Sequence, residues 1–350
     1  MDLAALEQAA RGRLDPAVYD YLAGGADAEL TLADNLAAWS RLKLRPRVLR
    51  DVRRVDTATT VLGTRLPTPI MVAPTAYHGL VHPDGELASA AGAAAAGNLM
   101  VLSTQSNRSL EEVARHAPSA PRWFQVYVHI DHAFTEELVG RAAAAGYSAL
   151  VLTADLPVYG NRLRDVRNRL AFPPGMVLGN AVERFGAGGE DVYAHASRFD
   201  AGLEPATIAW LRDRSGLPVL VKGVLRGDDA EAFVAAGAAG IVVSNHGGRQ
   251  LDTALAAADA LPEVVAAVDG RAEVLVDGGV RRGTDVVKAL CMGASGVLVG
   301  RPVLWGLATG GAEGVRAVLQ GLHEELVRAM ALCGAVGLAD LTPDLIAGPR

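Results

Sequence analysis

Short apolar runs of strand length recur along the chain from residue 70 onward, and a longer segment with helical apolar spacing follows each of them. Val and Leu dominate these runs, which lack the apolar and polar alternation of a sheet with one face in water. Eight such units predict an α/β fold, an eight-stranded parallel β/α barrel of the TIM type. The predicted strands lie at residues 70–74, 99–103, 123–128, 149–155, 218–223, 240–246, 273–279 and 296–301.

The regular spacing of the predicted strands is interrupted once. Strand starts recur about every 22–32 residues, within what one β/α unit requires, but nearly 70 residues separate the fourth start from the fifth. The intervening stretch, 160–203, has weak periodicity and begins rich in Gly, Pro and Arg, so we predict a long loop at the rim of the barrel. We hypothesise that this loop is a mobile lid.

Residues 1–69 form an extension before the first predicted strand, with a helix near 16–23 that ends at Gly24 and Gly25. We interpret residues 1–350 as one domain that includes this extension, although the length also accommodates two average domains. The first residues are amphipathic and charged, unlike a signal peptide, and no apolar stretch reaches the length of a membrane span. We therefore expect a cytoplasmic protein with no membrane contact.

Composition narrows the class of partner. Half of the residues are hydrophobic but only 5% are aromatic, so the core must consist mainly of Val, Leu and Ala. The net charge is -6 and no long basic block occurs, so we expect no nucleic-acid partner. Cys291 and Cys333 both lie in apolar, helical stretches, which predicts small core residues in a reducing compartment.

Every predicted strand ends in residues that can carry chemistry or that free the backbone. In β/α barrels the active site is built at the carboxyl ends of the strands, so this placement predicts a site there. In strand order these residues are Pro74 and Thr75, Ser103, Gln125 and Tyr127, Thr153 and Asp155, Lys222, Ser244 and His246, Asp277 with Gly278 and Gly279, and Gly300 with Arg301.

The last two strands end in DGGVRRG and GRP, which combine glycines for close backbone approach with the charges of Arg281 and Arg301. A glycine-rich turn alone is more often only a turn. Two of them at this position in a barrel predict a phosphorylated ligand, which we interpret as a cofactor. Lys222 would need an anionic partner if buried, and either a reduced flavin ring or a structural salt bridge supplies one.

The run NHGGRQLD follows the sixth strand and places His246 three residues before Arg249. Histidine accepts a proton near neutral pH, and arginine binds a carboxylate through paired hydrogen bonds. Oxidation of a 2-hydroxy acid requires both a proton acceptor and a group that binds the carboxylate. Asp155 could fix the tautomer of the histidine from across the barrel mouth, although a lone histidine in this position is more often structural.

Three further side chains are candidates for binding the substrate. Arg162 is a second candidate for the carboxylate, but other arginines follow it closely and spacing does not choose among them. Tyr21 and Tyr127 offer either hydroxyl groups at the site or core packing. No residue is assigned to a metal.

Six sequence motifs together carry a resemblance to a known family. VYDYLAGGA, APTAYHGLVHPDGE, LVKGV, VSNHGGRQLD, LVDGGVRRGTDVVKAL and GRP occur in order at matching spacing. From about residue 5 to 340 the chain resembles the FMN-dependent enzymes that oxidise 2-hydroxy acids, a group that includes glycolate oxidase, lactate oxidase, mandelate dehydrogenase and hydroxymandelate oxidase. The resemblance implies FMN as cofactor, oxidation of an (S)-2-hydroxy acid to the 2-oxo acid, and a homotetramer or homo-octamer.

The resemblance also implies roles for single residues. His246 is the implied proton acceptor and Asp155 its partner. Arg162 and Arg249 are the implied ligands of the substrate carboxylate, completed by Tyr21 and Tyr127. The implied contacts of FMN are Pro74, Thr75, Ala76, Ser103, Gln125, Thr153, Lys222, Ser244, Asp277, Gly278, Gly279, Arg281, Gly300 and Arg301.

The electron acceptor is less well defined. Oxygen is favoured, with hydrogen peroxide as product, because Ala76 is the residue usual in the oxidases. A dehydrogenase, a monooxygenase and a non-catalytic flavin-binding barrel remain alternatives. A barrel that binds a phosphorylated substrate, like the inosinate dehydrogenases, would need a nucleophilic cysteine, and neither cysteine ends a strand.

Two residues depart from the glycolate oxidase pattern. Gln105 stands where the plant glycolate oxidases carry a tryptophan against the substrate, so the substrate is not inferred from those enzymes. Tyr77 matches the hydroxymandelate-type branch and makes an aromatic or bulky substrate conceivable. Whether His246 takes the proton from carbon or from the hydroxyl group also stays open at this point.

Overall fold

The computed structural model describes residues 1–169, 173, 175–182 and 197–347. Eight parallel strands close into a barrel in which each strand pairs with its neighbours along the chain and the last pairs with the first. This confirms the predicted fold and all eight strand positions. An antiparallel pair precedes the barrel, β1 (Thr59–Val61) and β2 (Thr64–Leu66). The barrel strands are β3 (Ile70–Val72), β4 (Met100–Leu102), β5 (Arg122–Val126), β6 (Leu150–Thr153), β7 (Val219–Val224), β8 (Gly240–Val243), β9 (Glu273–Val276) and β10 (Gly296–Val299).

The barrel strands lack alternating apolar and polar residues because both faces of the barrel wall are buried. In β9, Leu275 packs in a cluster inside the barrel, whereas Val274 and Val276 pack in the larger cluster that includes the surrounding helices. Both clusters are apolar, because neither face of the barrel meets water. The last residues of several predicted strands lie beyond the hydrogen-bonded part of the barrel. For example, β8 ends at Val243, so His246 lies in the loop that follows it.

Helices cover the outside of the barrel. Ser109 begins one of them with a capping box, in which its hydroxyl accepts from the Glu112 amide and the Glu112 carboxylate accepts from the Ser109 amide. The described helices are α1 (Leu3–Arg11), α2 (Pro16–Ala23), α3 (Leu30–Arg41), α4 (Glu86–Ala96), α5 (Leu110–His116), α6 (His132–Ala144), α7 (Leu163–Asn168), α8 (Ala206–Ser215), α9 (Gly227–Ala235), α10 (Ala257–Val268), α11 (Gly283–Cys291) and α12 (Arg301–Cys333), with short 3-10 turns at His78–Leu80, Leu338–Asp340 and Pro343–Leu345.

The N-terminal extension reaches the catalytic face of the barrel. The predicted helix at 16–23 is α2, which the Asp15 carboxylate caps and Pro16 begins. From α3, the Trp39 ring nitrogen donates to the Gly278 carbonyl at 2.8 Å. A Cβ added to Gly279 would lie 1.9 Å from the Asn35 carbonyl oxygen, so only glycine allows this approach. The extension therefore packs directly against the loop after β9.

The stretch 160–203 differs in part from the predicted loop, because α7 forms near its beginning. This helix is held to the extension by Arg164, which forms ion pairs with Asp20 and Glu29, so tertiary contacts override the weak periodicity. Residues 170–172, 174 and 183–196 lie outside the described residues, and the hypothesis that 160–203 is a mobile lid stays a prediction. Among the helices that the structure describes, none is both long and apolar enough to cross a bilayer.

Candidate active site

A cavity opens at the carboxyl ends of the barrel strands, where the active site of a β/α barrel is built. We call its two regions the histidine end, formed by Tyr21, Tyr127, Arg162, His246 and Arg249, and the glycine-rich end, formed by Gly278, Gly279, Arg281, Gly300 and Arg301. The other predicted site residues that line the cavity are Pro74, Thr75, Ala76, Ser103, Lys222 and Asp277.

Four predicted residues lie behind the cavity wall and act through hydrogen bonds. Gln125 joins three strands, since its oxygen accepts from Ser103 at 3.1 Å and its nitrogen donates to Thr153 at 2.9 Å. Ser244 accepts from the Lys222 ammonium at 3.0 Å and from the His246 amide at 3.1 Å. Asp155 lies behind His246. These side chains orient the groups that face the cavity.

His246 and Asp155 form a largely buried pair, with side chains 17% and 12% exposed. The Nδ1 atom of His246 lies 2.9 Å from a carboxylate oxygen of Asp155, which leaves Nε2 facing the cavity. Two backbone features bring them together. His246 has a left-handed φ of 59°, and Gly223, at φ 107°, would clash with the Asp155 side chain at 2.5 Å if it carried a Cβ. The glycine of LVKG therefore makes room for the carboxylate.

The electrostatics of this pair suit a proton acceptor. Burial disfavours the imidazolium and is opposed by the Asp155 charge, and the pKa of His246 is lowered from its ordinary value of 6.5. Burial also disfavours ionised Asp155, but the charges of His246 and Lys222 outweigh it, and the pKa of Asp155 is lowered. The imidazole is thus neutral near pH 7 and its partner is ionised, so the ring can accept a proton and the carboxylate can stabilise the imidazolium.

Two tyrosines complete this part of the wall. The Tyr127 hydroxyl lies 3.5 Å from Nε2 of His246, and burial raises the pKa of that hydroxyl well above its ordinary value. It therefore remains protonated and able to donate. The Tyr21 ring lies beneath the Arg249 guanidinium, whose central carbon is 4.9 Å from the ring centroid.

Arg162 and Arg249 bring two guanidinium groups to the same region of the cavity. Arg162 donates to the Tyr159 hydroxyl and to the Arg249 carbonyl, while Arg249 donates to the carbonyls of Tyr21 at 2.6 Å and Gly24 at 2.9 Å. Within the described part of the chain neither forms an ion pair. Burial, with a contribution from Arg162, lowers the pKa of Arg249. Arg162 is buried and Arg249 is partly buried, and two such cations that form no ion pair with the described residues offer a site for a carboxylate.

Lys222 is different, because the protein supplies its counter-ion. Its ammonium lies 3.2 Å from Asp277, and both side chains are almost fully buried. Burial opposes the charge, but Asp277 and Asp155 outweigh it and raise the pKa of Lys222. The structure therefore contains the salt bridge that the sequence left as an alternative, and Lys222 still lines the cavity.

The glycine-rich end combines backbone and guanidinium donors. Gly278 and Gly279 line the cavity with φ values of 88° and 80°, left-handed conformations that glycine adopts at low steric cost. Arg301 donates to the carbonyls of Leu22, Gly24 and Gly247, and burial lowers its pKa well below the ordinary value. Arg281 donates to the neighbouring carbonyl of Val280.

Sequence reasoning missed two residues of the site. Tyr159 lines the cavity and has its ring 4.0 Å from the Arg162 guanidinium. Gln250 donates to the carbonyls of Asp155 at 2.9 Å and Val158 at 3.0 Å, which fixes the loop after β6 to the loop after β8. The sequence feature that could have identified Tyr159 and Gln250 is their position, because each lies within four residues of a predicted site residue.

The two departures from the glycolate oxidase pattern have different places in the structure. Gln105 lines the cavity and is 5% exposed. Tyr77 is fully buried and is not among the residues that line the cavity; its ring packs against Tyr21 with centroids 6.0 Å apart. Gln105 can therefore contact a ligand directly, whereas Tyr77 supports Tyr21.

The two cysteines lie away from the cavity. Cys291 ends α11 and Cys333 ends α12, and both are buried and free, which confirms their interpretation as core residues. Burial raises the pKa of Cys291 to about 12. Neither lines the cavity, so the site lacks the thiolate that the inosinate dehydrogenase type of chemistry needs.

Comparison with known proteins is consistent with this geometry. The profile of the FMN-dependent dehydrogenase family matches residues 10–348. The chain belongs to this family. It is 51% identical to an L-lactate oxidase of Nostoc sp. over 96% of this chain and 94% of that one, and 46% identical to human 2-hydroxyacid oxidase 1 over 97% and 94%. A solved mandelate oxidase with (S)-4-hydroxymandelic acid superposes with a TM-score of 0.94, at 44% identity and 99% and 98% coverage.

The residues of the cavity fit the cofactor of an FMN-dependent dehydrogenase. The glycine-rich end offers backbone amides and the partly buried guanidinium groups of Arg281 and Arg301, which form no ion pair within the described residues, the donor set that a phosphate needs. Lys222 brings a positive charge to the wall between that end and His246. The chain is thus an FMN-dependent oxidoreductase.

Proposed function

We propose that this enzyme oxidises an (S)-2-hydroxy acid to the corresponding 2-oxo acid and passes the electrons to oxygen, which leaves as hydrogen peroxide. The observation that carries the proposal is the histidine end. There His246, neutral near pH 7 and paired with Asp155, faces the same cavity as the guanidinium groups of Arg162 and Arg249, which form no ion pair within the described residues. A 2-hydroxy carboxylate has the two groups that this arrangement complements, a proton to give up and an anion to hold.

The residues that line the cavity have separate roles in the proposed reaction. Arg162 and Arg249 hold the substrate carboxylate in the cavity, and Tyr21 and Tyr127 orient it. His246 accepts the proton at Nε2, and Asp155 stabilises the resulting imidazolium through Nδ1. Bound FMN supplies the acceptor for the two electrons. Lys222 and the other cavity-lining residues that the resemblance assigned to the cofactor would hold it, with the phosphate at the glycine-rich end, and Gln125, Thr153 and Ser244 would position those residues from behind the wall.

Assembly, domain organisation and location complete the proposal. Residues 1–350 form one domain, in which 1–69 is an extension that packs on the catalytic face and 160–203 is a lid-like insertion. The family resemblance supports a homotetramer or homo-octamer. The two free, buried thiols support a reducing compartment, the cytoplasm.

Anaerobic mixing of the FMN-loaded enzyme with lactate, glycolate, mandelate and longer 2-hydroxy acids, followed by air, tests the proposed activity. We expect at least one (S)-acid to bleach the flavin and air to restore its colour, with one hydrogen peroxide released per 2-oxo acid. Bleaching without recolouring in air would identify a dehydrogenase. A decarboxylated product would identify a monooxygenase, and no bleaching by any acid would mean that the barrel only binds flavin.

A further inference from the structure

A buried histidine lies behind the cavity wall beside Thr75, and the proposed reaction does not use it. His78 begins the 3-10 turn that follows β3 and is 1% exposed. Its Nε2 atom lies 2.6 Å from the hydroxyl oxygen of Thr75, which lines the cavity. Its Nδ1 atom lies 2.8 Å from the hydroxyl oxygen of Ser89, which is fully buried. The ring therefore joins a hydroxyl group at the cavity to a hydroxyl group in the interior.

The surrounding contacts hold this histidine in place. The Glu86 carboxylate accepts from the backbone amide of His78 at 3.0 Å. Glu86 and Ser89 are three residues apart in α4, so both lie on the face of that helix that meets His78. A Cβ added to Gly300 would lie 3.4 Å from the methyl group of Thr75, so this methyl group lies beside the loop after β10. The orientation of the Thr75 side chain is thus fixed by contacts on both sides.

The buried end of the series Ser89–His78–Thr75 sets the direction of its hydrogen bonds. Within the described part of the chain, the Ser89 hydroxyl forms no hydrogen bond except the one with His78. Because Ser89 is fully buried, its proton goes to Nδ1 or stays unpaired, which is destabilising. A neutral imidazole has one donor and one acceptor nitrogen, so Nδ1 accepts and Nε2 carries the proton. Burial agrees with this, because it lowers the pKa of His78 despite the opposing charge of Glu86.

The direction of the series then determines the role of the Thr75 hydroxyl. Nε2 of His78 donates to the Thr75 oxygen, so the Thr75 proton needs a different acceptor. Among the residues that the structure describes, this hydroxyl has no second hydrogen bond. Thr75 lines the cavity, where a ligand can supply the acceptor. The Thr75 hydroxyl is therefore a hydrogen-bond donor for a bound molecule.

The family resemblance implies that Thr75 contacts FMN, and the next step rests on the part of the proposed function that places FMN in this cavity. We propose that His78 is a positioning residue that acts through Thr75 and presents a hydrogen-bond donor to the flavin ring. Reduction makes this ring more negative, and a hydrogen bond to a more negative acceptor is stronger. The series from Ser89 to Thr75 therefore binds reduced FMN more tightly than oxidised FMN and raises the midpoint potential.

Two substitutions of His78 separate the two ends of its ring. In His78→Asn the amide takes the place of Nδ1 and keeps the contact with Ser89. In His78→Gln the amide takes the place of Nε2 and can still donate to Thr75. We expect His78→Asn to weaken the binding of reduced FMN at least about threefold relative to oxidised FMN, which lowers the midpoint potential by about 14 mV. In His78→Gln this ratio should stay within twofold of the wild type.

A double-mutant cycle with Thr75→Val tests whether His78 acts through Thr75. Valine keeps the shape of threonine and removes the hydroxyl group, so we expect the ratio to fall about tenfold, or about 30 mV. In the Thr75→Val protein, His78→Asn should have no further effect. The matched control is His323→Asn, because Nε2 of His323 lies 2.7 Å from the Thr57 hydroxyl and neither residue lines the cavity. The control should leave the midpoint potential unchanged.

Anaerobic titration against a reference dye measures the midpoint potential, and quenching of FMN fluorescence by the apoprotein measures the affinity for oxidised FMN. A ratio in His78→Asn within twofold of the wild type, which is about 9 mV, would overturn the inference. So would an equal loss in His78→Gln, or an effect of His78→Asn that persists in full in the Thr75→Val protein. These measurements need no hydroxy acid, so they stand if the oxidase activity fails. An apoprotein that binds no FMN would overturn both.

Discussion

At the histidine end of the cavity, the chemistry depends on side chains that specific partners hold in place. Asp155 holds His246, and the backbone carbonyls of Tyr21 and Gly24 hold Arg249. At the glycine-rich end the cavity is lined by Gly278 and Gly279, both in left-handed conformations, beside Arg281 and Arg301. The side chains of the histidine end can discriminate between the reacting groups of different substrates. The glycine-rich end recognises a phosphate group, whatever molecule that phosphate belongs to. Mutations at the two ends should therefore have separable effects, on catalysis and on cofactor affinity.

The largest effect is expected for His246→Ala. Loss of a general base typically costs about 100- to 10,000-fold in rate, so we expect flavin reduction to slow by that factor while the FMN content stays normal. Anaerobic stopped-flow absorbance measures the rate, and His116→Ala, at an exposed end of α5, is the matched control. A rate within tenfold of the wild type would contradict the role of His246.

Arg249→Lys should act next most strongly, and on the substrate. Lysine keeps the charge but cannot form the paired hydrogen bonds of a guanidinium, so we expect kcat/KM to fall about 100-fold, mainly through a higher KM. Steady-state kinetics measures this, with the surface substitution Arg226→Lys as control. An unchanged KM would mean that the carboxylate binds elsewhere.

Arg281→Met tests the glycine-rich end. We expect the dissociation constant of FMN to rise about tenfold, since one charge-assisted contact to phosphate is lost, while the rate at saturating FMN changes little. The neighbouring Arg282→Met provides the control, because that side chain is about half exposed and points away from the cavity toward Glu325. Equal effects of the two variants on FMN affinity would argue against a phosphate site at Arg281.

The smallest effect concerns pH. Only neutral His246 accepts a proton, so kcat/KM should fall as the pH drops through its pKa, which burial places below 6.5. Asp155 raises that pKa, so in Asp155→Asn the acid limb of the profile should move to lower pH, in addition to a lower rate. A profile of kcat/KM against pH measures the shift. Movement to higher pH would contradict the pairing.

Much of the fold and the site follows from local sequence. The eight apolar runs predict the barrel because strands buried on both faces need uninterrupted apolar residues. The pairing of His246 with Asp155 was predictable because both follow strands of the same barrel, whose carboxyl ends converge. Those two inferences require only the order of the strands.

The remaining features depend on contacts between distant segments. The salt bridge between Lys222 and Asp277 joins two strands that are not adjacent, and spacing could not distinguish it from separate contacts to a cofactor. The helix α7 forms in a segment with weak periodicity because Arg164 is bound by the extension. The contacts of His78 with Thr75 and Ser89 become evident only once α4 is placed beside the turn after β3.

A crystal structure of the FMN-loaded enzyme with a bound 2-hydroxy acid, or with the 2-oxo acid product, tests the central claim most directly. We predict the carboxylate on Arg162 and Arg249, the C2 oxygen within hydrogen-bond distance of Nε2 of His246, and the phosphate of FMN at the glycine-rich end. A carboxylate bound away from both arginines, or a C2 oxygen out of reach of His246, would contradict the account.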